Sequence, residues 1–297
     1  MQRVDIRSVV AHTFVSVLLF LGPIALFVTG ATLGGWLTVP LWLAQTVGLL
    51  GLSNAAHECV HGHYLRRRHV DRWAGRLFHL PVLVNYEAHR IYHLGHHAHT
   101  GDHEDPEGSF DYRDIPTFGR YLLKLGRWMV PPSPLHVVNQ RIAWRAIAGP
   151  RDATRRRVVA NELLVIGAIA AMVALTVLTA PLLLLQAYWI PALVVFPAAA
   201  FWTAVPEHFG LEGEASAFGH TRTILLPAWA SWLLWNINYH TAHHARPNTP
   251  FHNLHRLHEE LGPQVVHVTA GYVSFHRHLL RRGRTSHAEP GATARAR

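Results

Sequence analysis

Two long stretches without a single Lys or Arg constrain the fold of this 297-residue chain more than any other feature. All 27 basic residues fall in residues 1–7, 66–157 and 222–297, and the two intervals between these blocks are apolar. A helix that crosses a bilayer needs about 20 apolar residues, so each interval can hold two. The expected fold class is therefore an all-α integral membrane protein with four transmembrane helices. We predict them over residues 9–30, 33–56, 158–180 and 182–205, with a turn at Gly30-Ala31-Thr32 and a break at Pro181.

Four spans place every basic block on one side of the membrane, and the positive-inside rule makes that side cytoplasmic. We therefore expect a multi-pass protein of the inner (cytoplasmic) membrane, with both termini in the cytoplasm. Residues 1–270 are predicted to form one domain, and residues 271–297 a basic tail with a disordered end. The cytoplasmic cap of the domain would comprise residues 57–157 and 206–270. Interfacial helices are expected in this cap, including the stretch around Trp229, Trp232 and Trp235.

The composition excludes several other classes of protein. The chain is 49% hydrophobic and only 15% charged, whereas about 25% of the residues of a soluble domain are charged. The formal net charge of +9 is accounted for by topology and by contact with anionic membrane lipids. No nucleic-acid-binding module is recognisable, so no nucleic acid partner is expected. The single cysteine, Cys59, excludes an internal disulfide.

Three tight histidine clusters lie in the parts of the chain predicted to face the cytoplasm. They have the spacings HxxxH (His57, His61), HxxHH (His93, His96, His97) and HxxHH (His240, His243, His244), and His208 follows the fourth span. Residues i, i+3 and i+4 share one face of a helix, so each cluster can aim two or three imidazoles at one point. Neutral imidazole is the commonest metal ligand in proteins. The clusters offer more ligands than one tetrahedral ion uses, which indicates a pair of metal ions and a cap that serves as a metal centre.

Two alternatives remain open on these residues alone. The segment from His57 to His61 also matches HExxH, the pattern of zinc proteases, in which Glu58 would be the general base. An intramembrane zinc protease needs only one further ligand, and this would leave both HxxHH clusters unexplained. A non-enzymatic metal-binding or transport protein would more naturally carry its ligands within the spans. Isolated histidines, among them His12, His79 and His276, are expected to be solvated.

These clusters and the residues around them resemble the histidine boxes of the membrane fatty acid desaturase superfamily, which also contains hydroxylases and ketolases. The first box corresponds to residues 54–62 and the second to residues 92–101, followed by Asp105-Pro106-Glu107. The third corresponds to Trp235-Asn236 and Tyr239 to His244, with Thr221-Arg222-Thr223 before it. The resemblance covers residues 54–261.

The resemblance implies two non-haem iron ions, with O2 as co-substrate. It carries the ligand role to nine residues: His57, His61, His93, His96, His97, His208, His240, His243 and His244. Five further residues are expected to orient these histidines from the side facing away from the metal ions: Glu58, Asp105, Glu207, Asn236 and Tyr239.

The implied activity is desaturation of a fatty-acyl or related hydrocarbon chain. A hydroxylase or ketolase on the same scaffold is the alternative. Electrons would come from a separate donor, a ferredoxin with its reductase. The chain departs from the pattern at Ala242, where bacterial relatives often have Glu. The missing carboxylate would then come from Glu207 or Glu212.

Overall fold

A computed structural model describes residues 3–30, 35–106, 117–211 and 216–282. Ala31 and Thr32 of the first predicted turn, the start of the second predicted span, Glu107, Glu212 and the end of the basic tail lie outside the described residues. Within them the regular secondary structure is helical apart from one short parallel strand pair, β1 (Thr223–Leu225) beside β2 (Val268–Ala270). The all-α expectation did not include this pair.

Among the described residues, three helical segments are long and apolar enough to cross a membrane: α1 (Ile6–Val28), α7 (Ala153–Leu178) and the segment Pro181–His208. The last segment contains α8 (Pro181–Leu184), two π-helical stretches (Leu185–Trp189 and Pro191–Val195) and α9 (Phe196–His208). Helix α2 (Thr38–His61) covers the remaining predicted span. It is less apolar because it carries buried Gln45 and the polar residues of the first histidine box.

Helices α1 and α2 pack in very close contact through two glycines. A Cβ on Gly48 would lie 2.5 Å from the backbone nitrogen of Phe20, and one on Gly51 would lie 2.2 Å from Oγ of Ser16. Any side chain at these positions would force the helices apart. The backbone of α2 therefore lies directly against α1.

The π-helical stretches widen the last span and leave backbone carbonyls that α2 satisfies. Trp42 Nε1 donates to the Gln186 carbonyl at 2.8 Å, and Gln45 Nε2 donates to the Ala187 carbonyl at 2.9 Å. An i→i+5 turn is rare and occurs mostly as a single bulge inside an α-helix. These two side chains fix α2 to the last span.

The other helices form a cap. They are α3 (Arg68–His79), α4 (Tyr86–His99), α5 (Phe118–Met129), α6 (Pro134–Ala148), α10 (Ala217–His220), α11 (Ala228–Leu233), α12 (His240–Ala245), α13 (Leu254–Leu261) and α14 (Tyr272–Arg282). Short 3₁₀ turns at Leu80–Val82, Phe251–Asn253 and Gly262–Gln264 connect some of them. Helix α14 begins just past the predicted domain boundary and buries Phe275 with Phe201 and Val205 of α9. The start of the predicted tail is thus packed helix.

Two expectations about individual side chains are wrong. Trp235 is only 1% exposed and packs on Phe251, so it does not lie at an interface, although Trp229 is 70% exposed. His79 and His276, expected to be solvated, are buried, as is His12 against Trp232. His12 and His276 are buried by residues distant in sequence, and His79 by Tyr86 and His89 of the next helix, contacts that a single histidine in a sequence does not reveal.

Candidate metal centre

Helix α4, which carries the second histidine cluster, is fixed by its N-cap residue, Asn85. The side chain of Asn85 accepts from the backbone N–H groups of Glu87 and Ala88, which is a standard N-cap. The same amide donates to the Val158 carbonyl at 3.1 Å and to Glu162 at 2.7 Å on α7. This N-cap therefore ties the second histidine cluster to α7, one of the helices long and apolar enough to cross a membrane.

All nine histidines expected as ligands come together, in two adjacent groups. Within each group the possible ligand atoms lie within 4.8 Å of one another. The stacked rings of His97 and His244, 4.2 Å apart, join one group to the other. We call them the five-histidine group (His57, His61, His93, His97, His243) and the four-histidine group (His96, His208, His240, His244). Their role as ligands remains a prediction, but their convergence is a property of the fold.

The groups do not follow the sequence clusters, and helix geometry explains why. At 3.6 residues per turn, residues i and i+4 differ by about 40° around the axis, while i+3 lies about 60° to the other side of i. The pairs His57/His61, His93/His97 and His240/His244 accordingly stay together. The i+3 members, His96 and His243, cross to the opposite group. Each HxxHH cluster therefore contributes histidines to both groups.

The contacts inside the five-histidine group cannot be a hydrogen-bond network. Nε2 of His93 lies 2.9 Å from Nε2 of both His61 and His97, and Nε2 of His97 lies 2.9 Å from Nε2 of His243. A neutral imidazole nitrogen either carries one hydrogen or offers one lone pair. Neither His93 nor His97 can satisfy two such neighbours. Ligands at right angles on an ion, with bonds of about 2.1 Å, stand about 3 Å apart, so the spacing fits a shared cation.

The outer nitrogens of the four-histidine group support the same conclusion. Nδ1 of His96 donates to Asp105 at 2.9 Å, and Nδ1 of His208 donates to the His220 carbonyl at 3.0 Å. Nδ1 of His244 lies 3.4 Å from the Thr100 hydroxyl. A hydrogen held at Nδ1 leaves the lone pair on Nε2. Nε2 of His208 and Nε2 of His240 face each other at 2.8 Å, and the buried Nε2 of His244 has no hydrogen-bond partner among the described residues.

The expected supporting carboxylates differ in how closely they approach. Asp105 makes a full hydrogen bond, whereas Glu207 Oε2 lies 3.7 Å from Nδ1 of His240. Glu58 lies 3.8 Å from Nδ1 of His57 and accepts instead from the backbone N–H of Phe251. Because Glu58 is buried and one of its carboxylate oxygens accepts from a backbone amide, it is poorly placed as the general base of a protease.

Asn236 and Tyr239 lie further from the predicted ligands than these carboxylates do. The amide of Asn236 donates to the Phe251 carbonyl at 3.4 Å, and the Tyr239 ring packs against His255 and His258. They can support the ligands only through the backbone around them. Sequence reasoning missed Thr100 and the His220 carbonyl, since neither a hydroxyl nor a backbone oxygen carries a metal-site pattern.

Burial favours the neutral form of several imidazoles of the centre. Burial lowers the pKa values well below the usual range, and neighbouring imidazoles lower them further, at His93, His240, His243 and His244. A neutral imidazole has a lone pair available for a cation. The lowered pKa values of these four histidines therefore favour the form that can bind a metal ion.

Comparison with known proteins supports the resemblance found in the histidine clusters. A family model described as fatty acid desaturase matches residues 9–276. The chain is 27% identical over 248 residues to an sn-1 oleoyl-lipid 12-desaturase of Arthrospira platensis, covering 76% of this chain and 68% of that protein. It is 27% identical over 260 residues to an sn-1 acyl-lipid omega-3 desaturase (ferredoxin) of Nostoc sp., covering 80% and 71%. A shorter match, 34% identical over 110 residues, reaches a chloroplastic sn-2 acyl-lipid omega-3 desaturase (ferredoxin) of Arabidopsis thaliana and covers 34% and 25%. With its histidine groups and apolar helices, this chain belongs to the fatty acid desaturase family.

Proposed function

We propose that this protein is an O2-dependent, membrane-embedded di-iron oxidoreductase that introduces a double bond into the acyl chain of a membrane lipid. The observation that carries the proposal is the division of nine converging histidines into two adjacent groups. Five imidazoles exceed what one tetrahedral zinc ion uses. Two neighbouring groups provide for two ions, as the family implies.

A bound iron pair would supply reductive activation of dioxygen, which is needed because an unactivated C–H bond offers no acidic or basic handle. The overall reaction removes two hydrogen atoms from adjacent methylene carbons. With two further electrons and two protons, dioxygen is reduced to two water molecules. The histidines of this chain would hold the two ions, and Asp105 fixes the ring of His96 by accepting from Nδ1. The buried position of His93, His240 and His243 limits the access of water to the centre.

The arrangement of the helices supports a four-span topology with the metal centre on the cytoplasmic side. Ligands His57 and His61 lie at the end of α2, and His208 is the last residue of α9. Both helices therefore run toward the same end of the bundle. All described Lys and Arg residues lie outside the two apolar intervals, which favours the cytoplasm for this end. Residues 1–270, extended by α14, would form the single domain.

The relatives indicate the substrate carrier and the electron donor. Those from Arthrospira and Nostoc are named for acyl chains carried by lipids, and the Nostoc relative is named with ferredoxin. We propose a lipid-borne acyl chain and a ferredoxin-type donor with its reductase for this chain. An acyl-lipid would reach the centre directly from the bilayer.

Accurate mass analysis of total lipids tests the proposal. Cells expressing the wild type are compared with cells expressing His243→Ala and with a control, His103→Ala, whose side chain is 86% exposed. We expect a lipid lighter than its parent by two hydrogens in the wild type and the control, and none in His243→Ala. A product that instead gains an oxygen atom would identify a hydroxylase. Full product formation by His243→Ala would overturn the proposed metal centre.

A further inference from the structure

The last turn of α9, which carries Glu207 and His208, is weakened by a proline. Pro206 has no N–H, so the Trp202 carbonyl four residues earlier lacks its helical hydrogen bond. His276 of α14 supplies the missing donor, since its Nε2 lies 2.9 Å from this oxygen. Its ring also stacks on Trp202 at 3.7 Å, and its Nδ1 accepts from the Tyr121 hydroxyl at 3.2 Å. A buried histidine from a distant helix thus repairs the proline break.

Arg222 holds the same turn from the other side. Its Nη1 donates to the carbonyls of Pro206 and Phe209, and its backbone N–H donates to the Glu207 carbonyl at 2.8 Å. The guanidinium also lies 5.0 Å from the centre of the Phe275 ring, and the residue is only 5% exposed. The last carbonyls of a helix have no partners within it and carry partial negative charge. A buried cation with several donors is well suited to them.

The turn held by these two residues connects directly to the four-histidine group. Nδ1 of His208 donates to the carbonyl of His220, two residues before Arg222. Nε2 of His208 lies 2.8 Å from Nε2 of His240, and Glu207 lies 3.7 Å from the far side of the His240 ring. A shift of this turn would therefore move His208 and Glu207 together. The five-histidine group draws no residue from this turn.

We propose that Arg222 and His276 are positioning residues that set His208 in the four-histidine group and so determine whether the second metal ion binds. The proposal rests on the proposed two-metal centre. Both residues act through the backbone of α9: His276 repairs the turn at Trp202, and Arg222 fixes the carbonyls on either side of His208. Their loss should affect one ion far more than the other.

The iron content of the purified protein and its variants tests this positioning role directly. Wild type and variants are purified, loaded anaerobically with Fe(II), and measured for iron per chain and for the unfolding temperature of the metal-free protein. Arg222→Lys keeps the charge but removes the guanidinium, whose Nη1 donates to two carbonyls. It should reproduce His208→Ala, with roughly half of the wild-type iron, because only the four-histidine group is affected. Arg277→Lys, on the exposed face of α14, is the control and should match the wild type.

A second pair of variants separates positioning from folding. His276→Leu removes the donor to Trp202 and should lose iron like Arg222→Lys, whereas His276→Gln keeps an N–H donor and should restore it. Wild-type iron in both Arg222→Lys and His276→Leu would overturn the proposal. Loss of both ions in proportion to unfolded protein would overturn it as well, by showing a general role in folding. If the wild type itself binds no iron, the two-metal centre is refuted before any variant is compared.

Discussion

At the scale of single residues, the centre depends on where each imidazole keeps its hydrogen. Asp105 holds the hydrogen of His96 at Nδ1 and thereby directs the Nε2 lone pair inward. We predict that Asp105→Asn weakens metal binding about 10–100-fold, the usual effect of removing a carboxylate behind a ligand histidine. Competition with a chelator measures the metal affinity of each variant. Asp102→Asn, on the same loop but half exposed beside His99 and His103, should leave affinity unchanged. Equal affinities in both variants would show that Asp105 does not orient the ligand.

The same scale shows what sequence can and cannot predict about the site. The i, i+3 and i+4 spacing on a helix made the convergence of the eight clustered histidines predictable, whereas His208 was added to the set by the family resemblance. Their division into two groups follows from the same geometry, although the clusters were expected to act as units. His276 was wrongly expected to be solvated because an isolated histidine carries no periodic signal. Its burial depends on Trp202 and Tyr121, more than 70 residues away in sequence.

At the scale of elements, the contact between α1 and α2 sets the position of the first histidine cluster. We predict that Gly48→Ala lowers the unfolding temperature and the yield of folded protein, because its Cβ would meet the backbone of Phe20. Gly167→Ala on α7 is the matched control, since a Cβ there would meet nothing within 4 Å. Fluorescence-detected size exclusion after heating compares them. Unchanged stability of Gly48→Ala would mean that the two helices are not held in close contact.

Helices α1 and α7 were predictable because a long apolar run of the sequence is best accommodated as one membrane-length helix. The π-helical stretches were not, because they depend on donors from Trp42 and Gln45 on another helix. The β1–β2 pair was missed for a similar reason. Three-residue strands give no usable alternation, and their partners are far apart in sequence.

At the scale of the whole molecule, the proposed topology assigns each loop to a side of the membrane. We predict that a cysteine at Trp36, before α2, reacts with an impermeant maleimide from outside intact spheroplasts. A cysteine at Arg151, before α7, should react only in inverted vesicles. The native Cys59 is buried and should stay silent in both preparations. Labelling of both introduced cysteines from the same side would contradict the four-span arrangement.

The most direct test of the central claim is the metal content of the purified protein. We expect about two iron atoms per chain in the wild type, as in other two-metal carboxylate or histidine sites. His61→Ala in the five-histidine group and His244→Ala in the four-histidine group should each retain about one. This result would show that the two groups bind separate ions. A single zinc ion per chain, lost completely in His61→Ala and retained in His244→Ala, would contradict the two-metal account.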